Sequence, residues 1–203
     1  EWADLSFNAH GMFSLLRDNP SSTDSRFLTF RRVEVLATNF RIRSQSHHIQ
    51  LFHSTFSSGF PPWIYRSDVK YGYGYPYPAT CELPDGGPSP CEVTSPILYP
   101  PAEKLHRGTI EVVLEAHDVT IHGCEIKDSF IGIAVSDGHD VTISNNNIYR
   151  ATADAFILSE KVYNIHVHHN TVRGFTGVSW SSTGVRLEPE LPGTVYVHHN
   201  LIR

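Results

Sequence analysis

Three observations predict an all-β solenoid. An eight-residue pattern, apolar at its first, third and eighth places, recurs six times in the 203 residues. Copies begin 21, 70, 22, 24 and 30 residues apart, so the unit is about twenty-two residues, with one large and one small insertion. A further short apolar stretch precedes every copy but the first. Apolar-polar-apolar is a strand with one buried face, and a turn at the sixth place lets a second short strand bury the eighth. Three short strands per unit, repeated, make a parallel β-helix of about six coils, each stacked roughly 4.8 Å above the last.

In chain order, residues 1–27 read as an N-terminal segment or early coil, and 28–203 as the β-helix. Residues 28–35 open the series loosely, and a strand at 40–42 leads into the copy at 49–56. An aromatic- and Pro-rich loop insertion follows at 57–108, holding ten of the thirteen Pro and six of the nine Tyr. Within it, Cys81 and Cys91 stand between turn-forming sequences. They read as a short-loop disulfide, which implies an oxidising compartment; two free thiols are the other reading. Strands at 112–114, 132–135, 155–158 and 184–187 then precede the copies at 119–126, 141–148, 165–172 and 195–202. The sixth place is Val33, Ser54, Cys124, Asn146, Asn170 and Asn200 in turn. Asn at one corner of successive coils can bond its amide to its neighbours, so Asn146, Asn170 and Asn200 are expected to form a ladder. Cys124 takes the same corner as a small buried residue; a nucleophile there would need a base and an exposed thiolate.

With its apolar-x-apolar-x-x-Asn-x-apolar unit, the chain resembles the right-handed parallel β-helix superfamily over residues 28–203, excluding the insertion. That superfamily includes pectate and alginate lyases, polygalacturonase-like hydrolases, uronan epimerases, phage tailspikes and non-catalytic surface proteins. The resemblance implies the fold, whereas chemistry has to be argued from side chains.

Sixteen Lys and Arg against twenty-one Asp and Glu leave a net charge of −5, which argues against a general nucleic-acid binder. No apolar run approaches the length of a membrane span, and no signal peptide opens the chain. The chain starts at Glu1 with its single Met at position 12, which reads as a processed product or fragment. The last copy has no polar cap after it, so further coils of the same chain, or another subunit, are expected to cover the open end.

By the resemblance, the strand preceding each copy is the one on which saccharides bind. Its outward places, counted by alternation, are Arg41 and Arg43, Val113 and Glu115, Ala134 and Ser136, Ile157 and Ser159, then Arg186 and Glu188. Asp137, His139, Glu160, Lys161 and Glu190 adjoin it. The insertion returns at the edge of the same face, where Trp63, Tyr65, Tyr71, Tyr73, Tyr75 and Tyr77 would form an aromatic groove wall, or simply pack the loop down. A uronan lyase would use Arg43, Lys161 or Arg186 as base, with Asp137, Glu160 and Glu188 holding Ca²⁺. A glycoside hydrolase would pair Glu160 with Glu188 across the scissile bond. Solvated turn charges are the plainer reading of each. Arg26, Arg31, Arg32, Arg41 and Arg43 crowd the early coils with Glu34 against them, a strip suited to an anionic glycan.

The thirteen His form the second candidate. His122, His168 and His198 share one outward place, His169 and His199 follow, and His166 projects from the same strand. Gathered imidazoles suit Zn²⁺ or Cu²⁺, with His168 and His198 at the centre, although like coils stack like residues in any case. The first functional reading is a secreted, periplasmic or cell-surface protein that binds an acidic polysaccharide on the first-strand face, with cleavage as its catalytic form. The second is a non-catalytic structural or adhesive β-helix segment of a larger surface protein or assembly.

Overall fold

The computed structural model describes residues 2–8, 12–15, 25–36, 39–57, 81–82, 88–89, 108–129, 131–151, 154–174, 184–187 and 193–203. Their strands fall into successive coils. The first holds β1 (Trp2–Ala3), β2 (Ser6–Asn8) and β3 (Met12–Leu15); the second β4 (Arg26–Arg31), β5 (Glu34–Leu36) and β6 (Asn39–Ile42). The third begins with β7 (His47–Phe52) and β8 (Thr55–Ser57). The insertion then contributes a small antiparallel pair, β9 (Cys81–Glu82) with β10 (Pro88–Ser89), before β11 (Gly108–Val113) completes the coil. The next three coils are β12 (His117–His122), β13 (Glu125–Ser129) and β14 (Ile131–Ser136); β15 (His139–Ser144), β16 (Asn147–Ala151) and β17 (Phe156–Ser159); and β18 (Tyr163–His168), β19 (Thr171–Arg173) and β20 (Val185–Leu187). Finally come β21 (Val195–His198) and β22 (Leu201–Ile202).

Three sheets result, each with its strands parallel. Sheet I runs β3-β6-β11-β14-β17-β20, sheet II β1-β4-β7-β12-β15-β18-β21, and sheet III β2-β5-β8-β13-β16-β19-β22. This is a parallel β-helix, and β1, β2 and β3 add strands below the first octet in all three sheets. The register carries the octets over place for place: Leu28 faces Ile49, Ile49 faces Val119, Val119 faces Val141, Val141 faces Ile165 and Ile165 faces Val195.

Inward places stack into apolar columns because each coil repeats the last. One runs Phe30, Leu51, Ile121, Ile143 and Val167, and another Val35, Phe56, Ile126, Ile148 and Val172, all buried. The early coils fill the interior with rings, Phe40 packing edge-on to Phe30 and Phe56 at 5.3 and 5.2 Å. Later coils use mostly aliphatic side chains, with Phe156 buried among them.

The turn between sheets II and III is made at the octet's fifth place, one earlier than the sequence reading put it. There Arg32, His53, Asn145, His169 and His199 all have φ between 49° and 56°, and Gly123 has 65°. A left-handed residue redirects the chain and leaves the sixth place pointing inward. At that place the amides interlock. Asn146 Nδ2 donates to Ile121 O and its Oδ1 accepts from Cys124 N, both at 2.9 Å. Asn170 repeats this one coil on, with Nδ2 donating to Ile143 O and Oδ1 accepting from Asn146 N. Asn200 does the same, to Val167 O and from Asn170 N. Cys124 sits buried in this column, its Sγ donating to Leu51 O at 3.4 Å, and burial pushes the thiol up to about 11. A thiol so far from ionisation is a packing residue.

Candidate functional site

On the outer side of sheet I the column that includes Arg41 continues through Glu111, Ala134, Ile157 and Arg186, and its neighbour runs Val113, Ser136, Ser159. The residue beside Arg41 is therefore Glu111, not the Val113 expected from alternation, and Glu115 lies beyond the end of the strand. Nor is the middle of this face an open platform: Glu111, Ala134, Ile157 and Ser159 are each at most 1% exposed. Ile131, Ala134 and Ile157 form a small apolar cluster outside the main core. Glu111 takes a hydrogen bond from Arg41 Nε at 2.5 Å, and Arg186 lies 3.9 Å from the buried Asp154. Arg43 is half-buried, its Nε 3.4 Å from Ser44 Oγ. Arg186 thus belongs to a local pairing on sheet I, and Arg43 to the turn that follows β6.

An open groove lies instead at the corner where sheet I turns into sheet II. It encloses about 480 Å³ and is lined by Gln45, His47, Glu115, His117, Asp137, His139, Lys161 and Tyr163. Each coil contributes its turn and the first residue of its sheet II strand, so the lining repeats along the axis. His47, His117, His139 and Tyr163 stack face to face, with ring centroids 5.1, 4.7 and 4.4 Å apart and planes within 12°. These rings lie two places before each octet, outside the pattern the sequence reading used, which noted only His139. The polar turn residues complete the lining. Gln45 Nε2 donates to Glu115 Oε2 at 2.9 Å, and Glu115 N to Asp137 O at 2.5 Å. Burial raises the Asp137 carboxyl above its ordinary range; Glu115 and Glu160 add to this against the pull of Lys161 and His139. Beside the groove Asp140 behaves oppositely. Asn164 and then His139 hydrogen-bond its carboxylate and hold its pKa low.

Asp137 and Lys161 both line the groove and Glu160 is near enough to act on Asp137, whereas Arg186 and Arg43 are not among the described lining residues. Glu188 lies outside the described residues, as do Trp63, Tyr65, Tyr71, Tyr73, Tyr75 and the Cys81–Cys91 pairing. Among the described residues no three His, Cys, Asp or Glu side chains are gathered so as to hold a metal ion.

Eleven of the thirteen His lie on sheet II or the turn after it. At the corner with sheet III, His168 stacks on His198 at 5.1 Å and His169 on His199 at 5.0 Å. His122 sits further along the same column, its Nδ1 2.9 Å from Ser144 Oγ. His168 is harder to protonate than an ordinary imidazole, because of burial first and then the neighbouring His169, His198, His166 and His122.

Residues 104–202, just under half of the chain, match the family model described as a right handed beta helix region. That stretch takes in every coil from β11 onward. No curated protein and no solved structure gives a significant match.

Proposed function

From a right-handed β-helix as the premise, we propose that this chain is a glycan-binding protein whose ligand lies in the corner groove between sheets I and II. One observation carries the reading: four stacked rings line the same groove as carboxylate, amide and ammonium groups. Sugar rings present apolar faces that stack on such rings and hydroxyls that bond to such polar groups. Glu115 and Asp137, with Glu160 close by, oppose a polyuronate, so the groove favours a neutral glycan over the acidic one suggested by the Arg-rich early coils. For cleavage its groups suit hydrolysis. Asp137, with its raised pKa, is the proton donor, and Glu115, steadied by Gln45, is the second carboxylate. A secreted, periplasmic or surface setting belongs to the proposal and draws on the spacing of Cys81 and Cys91.

Calorimetric titration with neutral and uronate oligosaccharides tests this. Tyr163→Ala is expected to weaken binding of a neutral glycan by roughly fivefold, the loss of about 1 kcal/mol of ring stacking. Asp137→Asn should leave binding within about threefold of the parent and abolish hydrolysis. Binding that ignores Tyr163→Ala, or appears only with polyuronates, would overturn the groove assignment. The second reading, a stiff non-catalytic spacer or adhesive segment, is favoured by the closed centre of sheet I, and it stands if no glycan binds.

A further inference from the structure

In an extended strand, adjacent side chains point to opposite faces, so two neighbouring His are normally kept apart. His168–His169 and His198–His199 escape this because their second members have φ of 56° and 54°, which swings both rings to one side. The result is the same in both coils. His168 Nδ1 lies 2.9 Å from His169 Nδ1, and His198 Nδ1 lies 2.7 Å from His199 Nδ1, with the two rings of each pair 88° apart. Two nitrogens bound cis to one square-planar ion at about 2.0 Å are separated by about 2.8 Å, whereas a tetrahedral ion would hold them about 3.3 Å apart. His169, His198 and His199 are exposed and His168 half-buried, so an ion would reach the pairs from solvent.

We propose that these two histidine pairs form a surface chelating site for a divalent transition-metal ion of tetragonal preference, Cu(II) above all, bound by the two Nδ1 atoms of one pair with water completing its shell. Two donors per ion is a smaller set than the three-ligand groupings absent among the described residues. Without metal, each Nδ1···Nδ1 contact is an N–H···N hydrogen bond, which the ion replaces as the donor ring's proton passes through water from Nδ1 to its own Nε2, leaving both imidazoles neutral. The stacked pairs are about 5 Å apart, so an ion in one repels a second in the other, and the two act as alternative seats for a single ion. His47–His48 has a similar contact at 2.7 Å, but the Phe27 ring packs on it at 4.6 Å from His48. The inference is independent of the glycan groove at the opposite edge of sheet II.

Titration of the intact protein with Cu(II) alone, followed by nitrogen hyperfine structure in its electron paramagnetic resonance spectrum, tests the assignment. Asn is the replacement, because Asn145 holds this turn in another coil with φ of 55°. His169→Asn and His199→Asn singly should each keep the ion within about threefold of the parent affinity. The double variant should lose at least tenfold, with its circular dichroism unchanged. Equal Cu(II) affinity in parent and double variant would overturn the proposal, as would single and double losses of the same size. In the unsubstituted protein, substoichiometric Cu(II) should broaden the ring protons of His168, His169, His198 and His199 before any other His; earlier broadening elsewhere sinks it, whatever the variants do.

Discussion

Asn170 is 1% exposed and its amide joins the coils on both sides: Nδ2 donates to Ile143 O and to Asn200 Oδ1, and Oδ1 accepts from both N and Nδ2 of Asn146. Truncation strands one buried carbonyl and the amide N–H of Asn146. Asn170→Ala is therefore expected to cost roughly 2–4 kcal/mol, read from the urea midpoint. Asn200→Ala, at a half-buried site, should cost less. At the groove, two neighbouring acids should titrate with opposite signs. Folding raises the pKa of Asp137, so its ionised form opposes the fold above the folded pKa, and that penalty disappears as pH falls through it. Asp140 is held low; its contribution is present above the unfolded carboxylate range and vanishes as pH falls through its folded pKa. Asp137→Asn should thus stabilise at pH 7 and Asp140→Asn destabilise, both differences fading at low pH in midpoints measured across the range.

The fifth-place turn is one conformation written with Arg32, His53, Asn145, His169 and His199 as well as Gly123. Asn tolerates a left-handed backbone and a β-branched side chain does not. His53→Asn is accordingly expected to stay within about 0.5 kcal/mol of the parent in thermal unfolding, and His53→Val to cost roughly 1–2 kcal/mol. The element pattern was legible wherever one strand face was buried, since alternation then names the inward residues, as in sheet II. Sheet I was harder. The apolar run Val112, Val113, Leu114 reads as the strand, which in fact spans Gly108–Val113, so Val113 is expected beside Arg41 where Glu111 stands, and Glu115 falls in the turn. The run at 131–135, Ile-Gly-Ile-Ala-Val, carried the missing signal: a strand without polar places is one covered on both sides.

Taken whole, the molecule is a column in which each coil touches only its neighbours, so stability is set by how many sides of a coil are paired. Amides of β12 and β15, flanked on both sides, should be the slowest to exchange with deuterium, and those of β21 and β22, flanked on one, among the fastest. Uniform protection along the axis would contradict nearest-neighbour stability. The corner groove was less legible than the column. Asp137, Glu160 and Lys161 announce themselves as charges, but the stack of His47, His117, His139 and Tyr163 exists only through lateral register. One coil is assembled from stretches far apart in the chain: β8 ends at Ser57, β11 resumes at Gly108, and their neighbours β13 and β14 follow one another directly. The connection between Ser57 and Gly108 is therefore mechanically redundant. A protease cut there would leave two polypeptides zipped together along three ribbons, and the two pieces, made separately, should reassemble into a single particle.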